Sequence, residues 1–183
     1  DFKANTLNFY SNSDISIWTG SVNINNTLER KKIYDIVAHK GEDTAFYLSL
    51  GYSVVAVEAN PAMVAILEER FSKELDDGRL VIVPKAIARE SGKATLFINK
   101  NSVWGTICPT WAKRNKQLGS DSHKIEVESV QFQKIVKEYG EPYYIKIDIE
   151  GVDRICLEGL LQTRIRPKFL SIESEKVSWR GLL

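Results

Sequence analysis

In YIKIDIEG (144–151), Lys146, Asp148 and Glu150 alternate with Ile145, Ile147 and Ile149, and Gly151 follows at once. The alternation is that of a β-strand. Burying unpaired charge is costly, so a strand that only filled a core would not carry three charged groups. Carboxylates at a strand end can contact a ligand, orient a hydroxyl or take its proton as a general base. They can also hold a hard cation such as Mg²⁺, but two ligands alone do not define such a site, and no metal is expected. In the plainer alternative, Lys146 and Asp148 pair with neighbours and Glu150 caps a helix that starts at Val152.

Two other acids occupy comparable positions. Asp35 lies in YDIVAHKG (34–41), where Gly41 closes a turn. A glycine there lets backbone approach a ligand without a Cβ in the way, and the following helix offers free N–H groups. Glu58 ends SVVAVEAN (53–60). An acid at that point can accept hydrogen bonds from both hydroxyls of a ribose, though a solvated strand cap is the plain alternative. Together they suggest a nucleoside-containing cofactor. A dinucleotide needs a turn of the G-x-G-x-x-G kind, and this turn has only Gly41, flanked by His39, Lys40, Glu42 and Asp43. Two acids beside it repel a diphosphate and tolerate a cationic sulfonium, which favours S-adenosylmethionine over NAD. His39 is placed to act as an acid or base towards an acceptor, or is simply a polar loop residue.

The elements that must carry these groups alternate between strand and helix. KKIYDIVA (31–38) is a strand and TAFYLSLG (44–51) a helix ending on a glycine suited to a C-cap. SVVAVEAN is nearly all apolar, as in a strand covered on both faces. Asn60 and Pro61 then open a helix as N-cap and first residue, with Val64, Leu67, Phe71 and Leu75 on one face. RLVIVPKAIA (79–88) is a third strand running into a loop at Pro84. KATLFINK (93–100) and KIEVESV (124–130) alternate like half-exposed strands. Phe132, Ile135, Val136 and Tyr139 mark a helix closed by Gly140. The 144–151 strand follows, then a helix on Val152, Ile155, Cys156, Gly159 and Leu160, and a last strand in PKFLSIES (167–174). Such alternation implies parallel strands with right-handed crossovers, hence a doubly wound, mostly parallel α/β sheet. Ligands bind such sheets outside the carboxyl ends of the strands, near the switch point.

A single domain over 1–183 is expected, with residues 1–30 as a lead-in and 101–123 as an insertion or lid holding a short helix around Trp111–Leu118. Trp104 and Trp111 could stack on a sugar ring or pack that lid onto the sheet. His123 reads as solvated, Lys113, Arg114 and Lys116 as a solvated helix face, and Glu173 as facing the same crevice. The chain has 25 Lys and Arg against 24 Asp and Glu, a net charge of +1, which gives no basis for bulk binding to nucleic acid or anionic lipid. No stretch approaches the roughly 18 apolar residues of a membrane span, and residues 1–20 lack the pattern of a signal peptide. Cys108 and Cys156 are read as free thiols of a cytoplasmic protein.

YDIVAHKGEDTAFYLSLGYSVVAVEANP (34–61), VPKAIARESGKATLF (83–97) and ESVQFQKIVKEYGEPYYIKIDIEGVDRICLEGL (128–160) resemble the FkbM-type methyltransferases. The resemblance runs in the family's order over about residues 32–175, and it implies a Rossmann-like fold of the class I methyltransferase type with S-adenosylmethionine as cofactor. It further implies that Asp35, Ala38 and Gly41 serve the cofactor's methionine part, with His39 and Lys40 of the same turn also cofactor-binding, and that Glu58, Ala59 and Asn60 serve its ribose. Lys85, Ala86 and Ile87 would line the adenine, with Asp148 and Glu150 facing the transferred methyl and the acceptor. Asp148, Glu150 and His39 are the catalytic candidates. The acceptor implied is a hydroxyl of a sugar, glycan or small metabolite. The turn departs from the family at Val37, where a glycine is usual. The family normally continues past EKVSWRGLL into further strands, so a C-terminally shortened sheet is expected. A decayed, non-catalytic nucleoside-binding module and an NAD(P)-dependent oxidoreductase are the competing functions. A DNA amino-methylating enzyme is disfavoured, because no Asp/Asn-Pro-Pro-Tyr segment is present.

Overall fold

The computed structural model describes residues 30–99, 105–149 and 153–172. Five strands form a wholly parallel central sheet: β1 (Lys32–Ile36), β2 (Ser53–Val57), β3 (Leu80–Val83), β7 (Tyr144–Ile147) and β8 (Phe169–Ile172), in the order β3-β2-β1-β7-β8. The chain runs outward from β1 to β3, then returns to β7 on the other side of β1. The switch point therefore lies between β1 and β7.

Both faces are covered, as the apolar strands require. Ile33, Val54, Ala56 and Leu80 meet α1 (Glu42–Ser49) and α2 (Pro61–Arg70) through Tyr47, Leu48 and Leu67. Tyr34, Ile36, Val55, Val57, Ile145 and Ile147 meet α5 (Phe132–Tyr139) and α6 (Asp153–Gln162) through Phe132, Ile135, Val136, Cys156 and Leu160. The doubly wound α/β architecture read from the sequence is the one observed. Asn60 caps α2 as expected, its Oδ1 accepting from the Ala62 N–H at 3.1 Å.

Several boundaries differ. The helix read through Leu75 breaks at Phe71, whose φ of −117° and ψ of 27° end α2 and start α3 (Ser72–Asp76). The break turns the Phe71 ring into the core beneath Gly41. The third strand, β3, ends at Val83, just ahead of the loop expected at Pro84, and beyond that loop the short β4 (Ala86–Ile87) joins another sheet. There, β5 (Gly92–Asn99) runs antiparallel to β6 (Ser122–Val130), and β4 runs parallel to β6. The alternating segments thus stay out of the central sheet. A strand with one wet face has no place in a sheet covered on both sides. Between β5 and β6 the expected short helix is α4 (Pro109–Gln117). The strand expected over 144–151 ends at Ile147, with Asp148 and Ile149 beyond it.

The charge alternation of β7 has a structural cause. Its isoleucines enter the α5/α6 core, while Lys146 points to the α1 face, directly across from Asp35 in the β1–β7 register. Asp35 is 0% exposed. Its Oδ2 accepts from the Thr44 hydroxyl at 2.6 Å, and its Oδ1 lies 3.5 Å from Lys146 Nζ. Lys146 Nζ also lies 2.9 Å from Asp43 Oδ2 on α1.

Two stability predictions follow from this packing. Removing one member of a buried ion pair costs about 3–5 kcal/mol, because the other charge is left uncompensated. Lys146→Met should therefore lower the urea-unfolding free energy by about that amount, and Asp35→Asn in the same chain should recover part of it in a double-mutant cycle. A Cβ on Gly41, at φ +80°, would overlap the Phe71 ring and stand 2.7 Å from Leu67 Cδ2. Strain of about 1–2 kcal/mol and overpacking of about 1–3 kcal/mol should make Gly41→Ala lose roughly 2–5 kcal/mol. Gly51→Ala, at φ +84° with nothing within 4 Å, should lose only the strain.

Candidate functional site

A cavity of about 330 Å³ opens at the carboxyl ends of β1, β2 and β7, across the switch point. Its size is within the usual range for a site that encloses a small organic ligand, about 300–1,000 Å³. Each strand end contributes the residues just past its last ladder hydrogen bond, because there the side chains leave the sheet and turn into the crevice. Ala38 and His39 line it after β1, and Glu58, Ala59 and Asn60 after β2. Lys85, Ala86 and Ile87 line it after β3, and Asp148 after β7. Glu58 and Asp148 thus share one cavity. Glu150 lies outside the described residues, as do Trp104 and Glu173.

Asp35, Lys40 and Gly41 do not line the cavity. Asp35 is sealed beneath Thr44 and Lys146, so it acts on the crevice through the lysine. Gly41 meets the side chains of Leu67 and Phe71, so helix packing and its φ account for the glycine. Trp111 lies on α4 with the Arg114 guanidinium 4.4 Å from its ring centroid, and His123 is exposed on β6.

Glu58 is 6% exposed and is pinned by backbone. Its Oε2 accepts from the His39 N–H at 2.9 Å and its Oε1 from the Asn60 N–H at 2.8 Å. A carboxylate has about four lone-pair sites, and with the Ala59 amide also acting on it Glu58 still keeps some acceptor capacity for a ligand. Burial raises the Glu58 pKa, the amide hydrogen bonds oppose this, and the nearby Asp35 charge adds to it. His39 sits at φ 51°, with Nδ1 3.8 Å from Glu42 Oε2. Burial lowers its pKa against the pull of Glu42, which leaves a neutral imidazole able to accept a proton near pH 7.

Lys146 also lines the cavity, with Glu42 and Asp43. Burial disfavours its ammonium, but Asp35 and Asp43 more than offset this, Asp148 adds to their effect, and its pKa is raised. Burial raises the Asp35 pKa, with Lys146 and Thr44 pulling the other way. Sequence reading treated Lys146 only as a partner for neighbours. The β1–β7 register that sets it opposite Asp35 has no sequence signal.

The roof was also unread in detail. Leu96 and Ile98 of β5 and residues Gly105, Thr106 and Ile107 of the insertion complete the wall. Thr106 is joined to Phe97 by two backbone hydrogen bonds, of 2.8 and 3.1 Å. Its Oγ1 accepts from the Cys108 N–H at 3.0 Å, just ahead of α4. Among the described residues, no group of three or more His, Cys, Asp or Glu is placed to hold a metal ion, and no helix is long and apolar enough to cross a membrane.

Val37, the departure noted in the sequence, lies on the cavity wall at φ 68°. For a β-branched residue this is an outlier, with a cost of about 1–2 kcal/mol.

The crystal structure of the methyltransferase FkbM from Methylobacillus flagellatus KT is similar over 73% of this chain and 29% of that one, at 16% identity and a TM-score of 0.49. This chain therefore spans less than a third of that protein's length. No curated protein matches the chain. The family model described as the methyltransferase FkbM domain matches residues 35–181, which include every described residue of the cavity. The chain belongs to the FkbM methyltransferase domain family.

Proposed function

We propose that the protein is an S-adenosylmethionine-dependent methyltransferase of the cytoplasm that methylates a hydroxyl on a sugar, glycan or other small metabolite. The observation that carries this reading is Glu58, held by two backbone amides on the wall of a cavity it shares with His39 and Asp148. A carboxylate pinned by backbone and with acceptor capacity left suits ribose hydroxyls. Ala59, Ala86 and Ile87 offer an apolar surface for a purine, while Glu42, Asp43 and Asp148 suit a cationic sulfonium better than a diphosphate. The residues present therefore fit the cofactor.

When bound, S-adenosylmethionine supplies a methyl group on a sulfur that is already an excellent leaving group. The chain's own part is alignment and proton removal. Enclosure between the parallel sheet and the β5–Thr106 wall fixes geometry and limits water. Asp148 orients an acceptor hydroxyl or takes its proton. His39, neutral near pH 7, is a second acceptor for that proton. A positioned base contributes about 10²–10⁴-fold. Glu150, two residues beyond Asp148 in the sequence, is a further acceptor-side candidate. The free thiols of Cys108 and Cys156 agree with a reducing compartment.

The oxidoreductase alternative is disfavoured by the turn, where Val37 and Ala38 stand in place of a glycine-rich phosphate cradle. The non-catalytic nucleoside-binding alternative draws its support from the strained Val37.

Calorimetric titration with S-adenosylhomocysteine tests the proposal. The intact protein should bind it, and Glu58→Ala should weaken binding by at least about tenfold, since a hydrogen bond to a charged group is worth about 1.5–3 kcal/mol. No binding by an intact, folded protein would overturn the reading. Affinity should also fall on acidification, beginning above the pH at which an ordinary glutamate, with a pKa of about 4.3, takes up its proton. The ionised Glu58 accepts both hydroxyls, the protonated form loses acceptor capacity, and its folded pKa is raised. Glu58→Ala should remove that component of the profile.

A further inference from the structure

The cavity carries more acid than base on its wall. Glu42, Asp43, Glu58 and Asp148 line it, against Lys85 and Lys146. Both lysines are engaged with carboxylates. Lys146 Nζ lies 2.9 Å from Asp43 Oδ2 and 3.5 Å from Oδ1 of the buried Asp35. Lys85 Nζ lies 3.0 Å from Oε2 of Glu128, an exposed acid of β6 that is not part of the lining.

The groups that could offset this acidity are occupied or cancelled. In the turn after β1, Val37 and Ala38 donate to the Val57 carbonyl at 2.9 and 3.1 Å, and Gly41 donates to the Ala38 carbonyl at 2.8 Å. The His39 N–H goes to Glu58. The N-terminus of α1 has a partial positive charge that would favour an anion, but Glu42 and Asp43 occupy its first turn. The opposite wall of Leu96, Ile98 and Ile107 is apolar, and charges act more strongly where water is excluded.

A wall with this balance can separate two ligands that differ only in charge. S-adenosylmethionine and its demethylated product S-adenosylhomocysteine share the adenosine and the amino-acid tail. They differ by one methyl group and one positive charge. Acceptance of ribose hydroxyls by Glu58 is common to both and does not distinguish them.

We propose that Glu42 and Asp43 are specificity-determining residues whose charges make the cavity prefer the sulfonium ligand to the neutral thioether. The inference rests on the S-adenosyl reading of the cavity and goes beyond it by ranking the two forms. It gives Glu42 and Asp43 no part in the chemical step and places no separate ion site on them. Its consequence is weak product inhibition, because the form left after transfer is the one held less tightly.

The experiment is calorimetry on the whole chain without an acceptor, so that no transfer takes place. The probes are S-adenosylmethionine, S-adenosylhomocysteine and sinefungin, an analogue with an ammonium group in place of the sulfonium methyl. The unmodified protein should bind the two cationic ligands at least about tenfold tighter than S-adenosylhomocysteine. Glu42→Gln combined with Asp43→Asn should bring all three within about threefold of one another. The change should come from the cations, with S-adenosylhomocysteine shifting by less than about twofold. Glu42→Gln alone should lose part of the preference, and it leaves the Asp43–Lys146 pair in place, so a loosened fold cannot mimic the effect. Glu126→Gln, which removes an exposed acid of β6 outside the lining, should leave the preference unchanged. A preference that survives the double substitution would overturn the proposal. So would binding of all three ligands by the unmodified protein within about twofold; if Glu58→Ala then weakened all three alike, the S-adenosyl reading would still stand. If none of the three binds the unmodified protein, that reading fails and takes this inference with it.

Discussion

The cross-strand pair of Asp35 and Lys146 is the constraint on which the crevice depends. It lies at the switch point, where β1 and β7 are neighbours in space although far apart in the chain. Asp35 has no contact with water and depends on Lys146 and Thr44 for compensation. Lys146 in turn reaches Asp43 on α1. One ammonium therefore ties two strands and the first helix together where the ligand cavity opens. Such a pair is poor evidence of net stabilisation, since desolvation offsets much of the attraction. It does fix which residues face each other, because a slip of one residue would turn Lys146 into the apolar core of α5 and α6.

The cavity inherits an unusual balance from that arrangement. Its acids fall into two kinds. Glu58 is immobilised by backbone amides. Glu42, Asp43 and Asp148 line the wall near the partly buried Lys146 ammonium. The second sheet closes the opposite side with apolar groups, notably Leu96, Ile98 and Ile107. A desolvated wall strengthens every charge interaction in the crevice, so a small number of residues can orient a ligand.

Much of the fold was readable because its signals are local. Asn60–Pro61, the Phe132, Ile135, Val136 and Tyr139 spacing, and the uninterrupted apolar run of β2 each report a local backbone preference. Several strand-end positions were readable for the same reason: Ala38, Glu58, Ala59, Asn60, Lys85 to Ile87 and Asp148 all reach the cavity wall. The misread features depended on distant partners. The break at Phe71 answers to Gly41, a contact between segments remote in the chain. The unread β4 answers to β6, which captures Ala86 and Ile87. Asp35 and Gly41 were read as ligand-facing, whereas a partly buried lysine and a phenylalanine ring are what they meet.

The sequence by itself determined the alternation of strands and helices, the parallel sheet that follows from it, and a set of acids at the strand ends. These depend on periodicity and on the intrinsic preferences of residues for caps and turns. Tertiary structure alone decided that Lys146 neutralises Asp35, that β5 and Thr106 wall the cavity, and that Val37 stands in a left-handed conformation on the cavity wall. Each of these is a relation between residues far apart along the chain. Burial, charge compensation and backbone strain acquire their values only when packing brings those residues together.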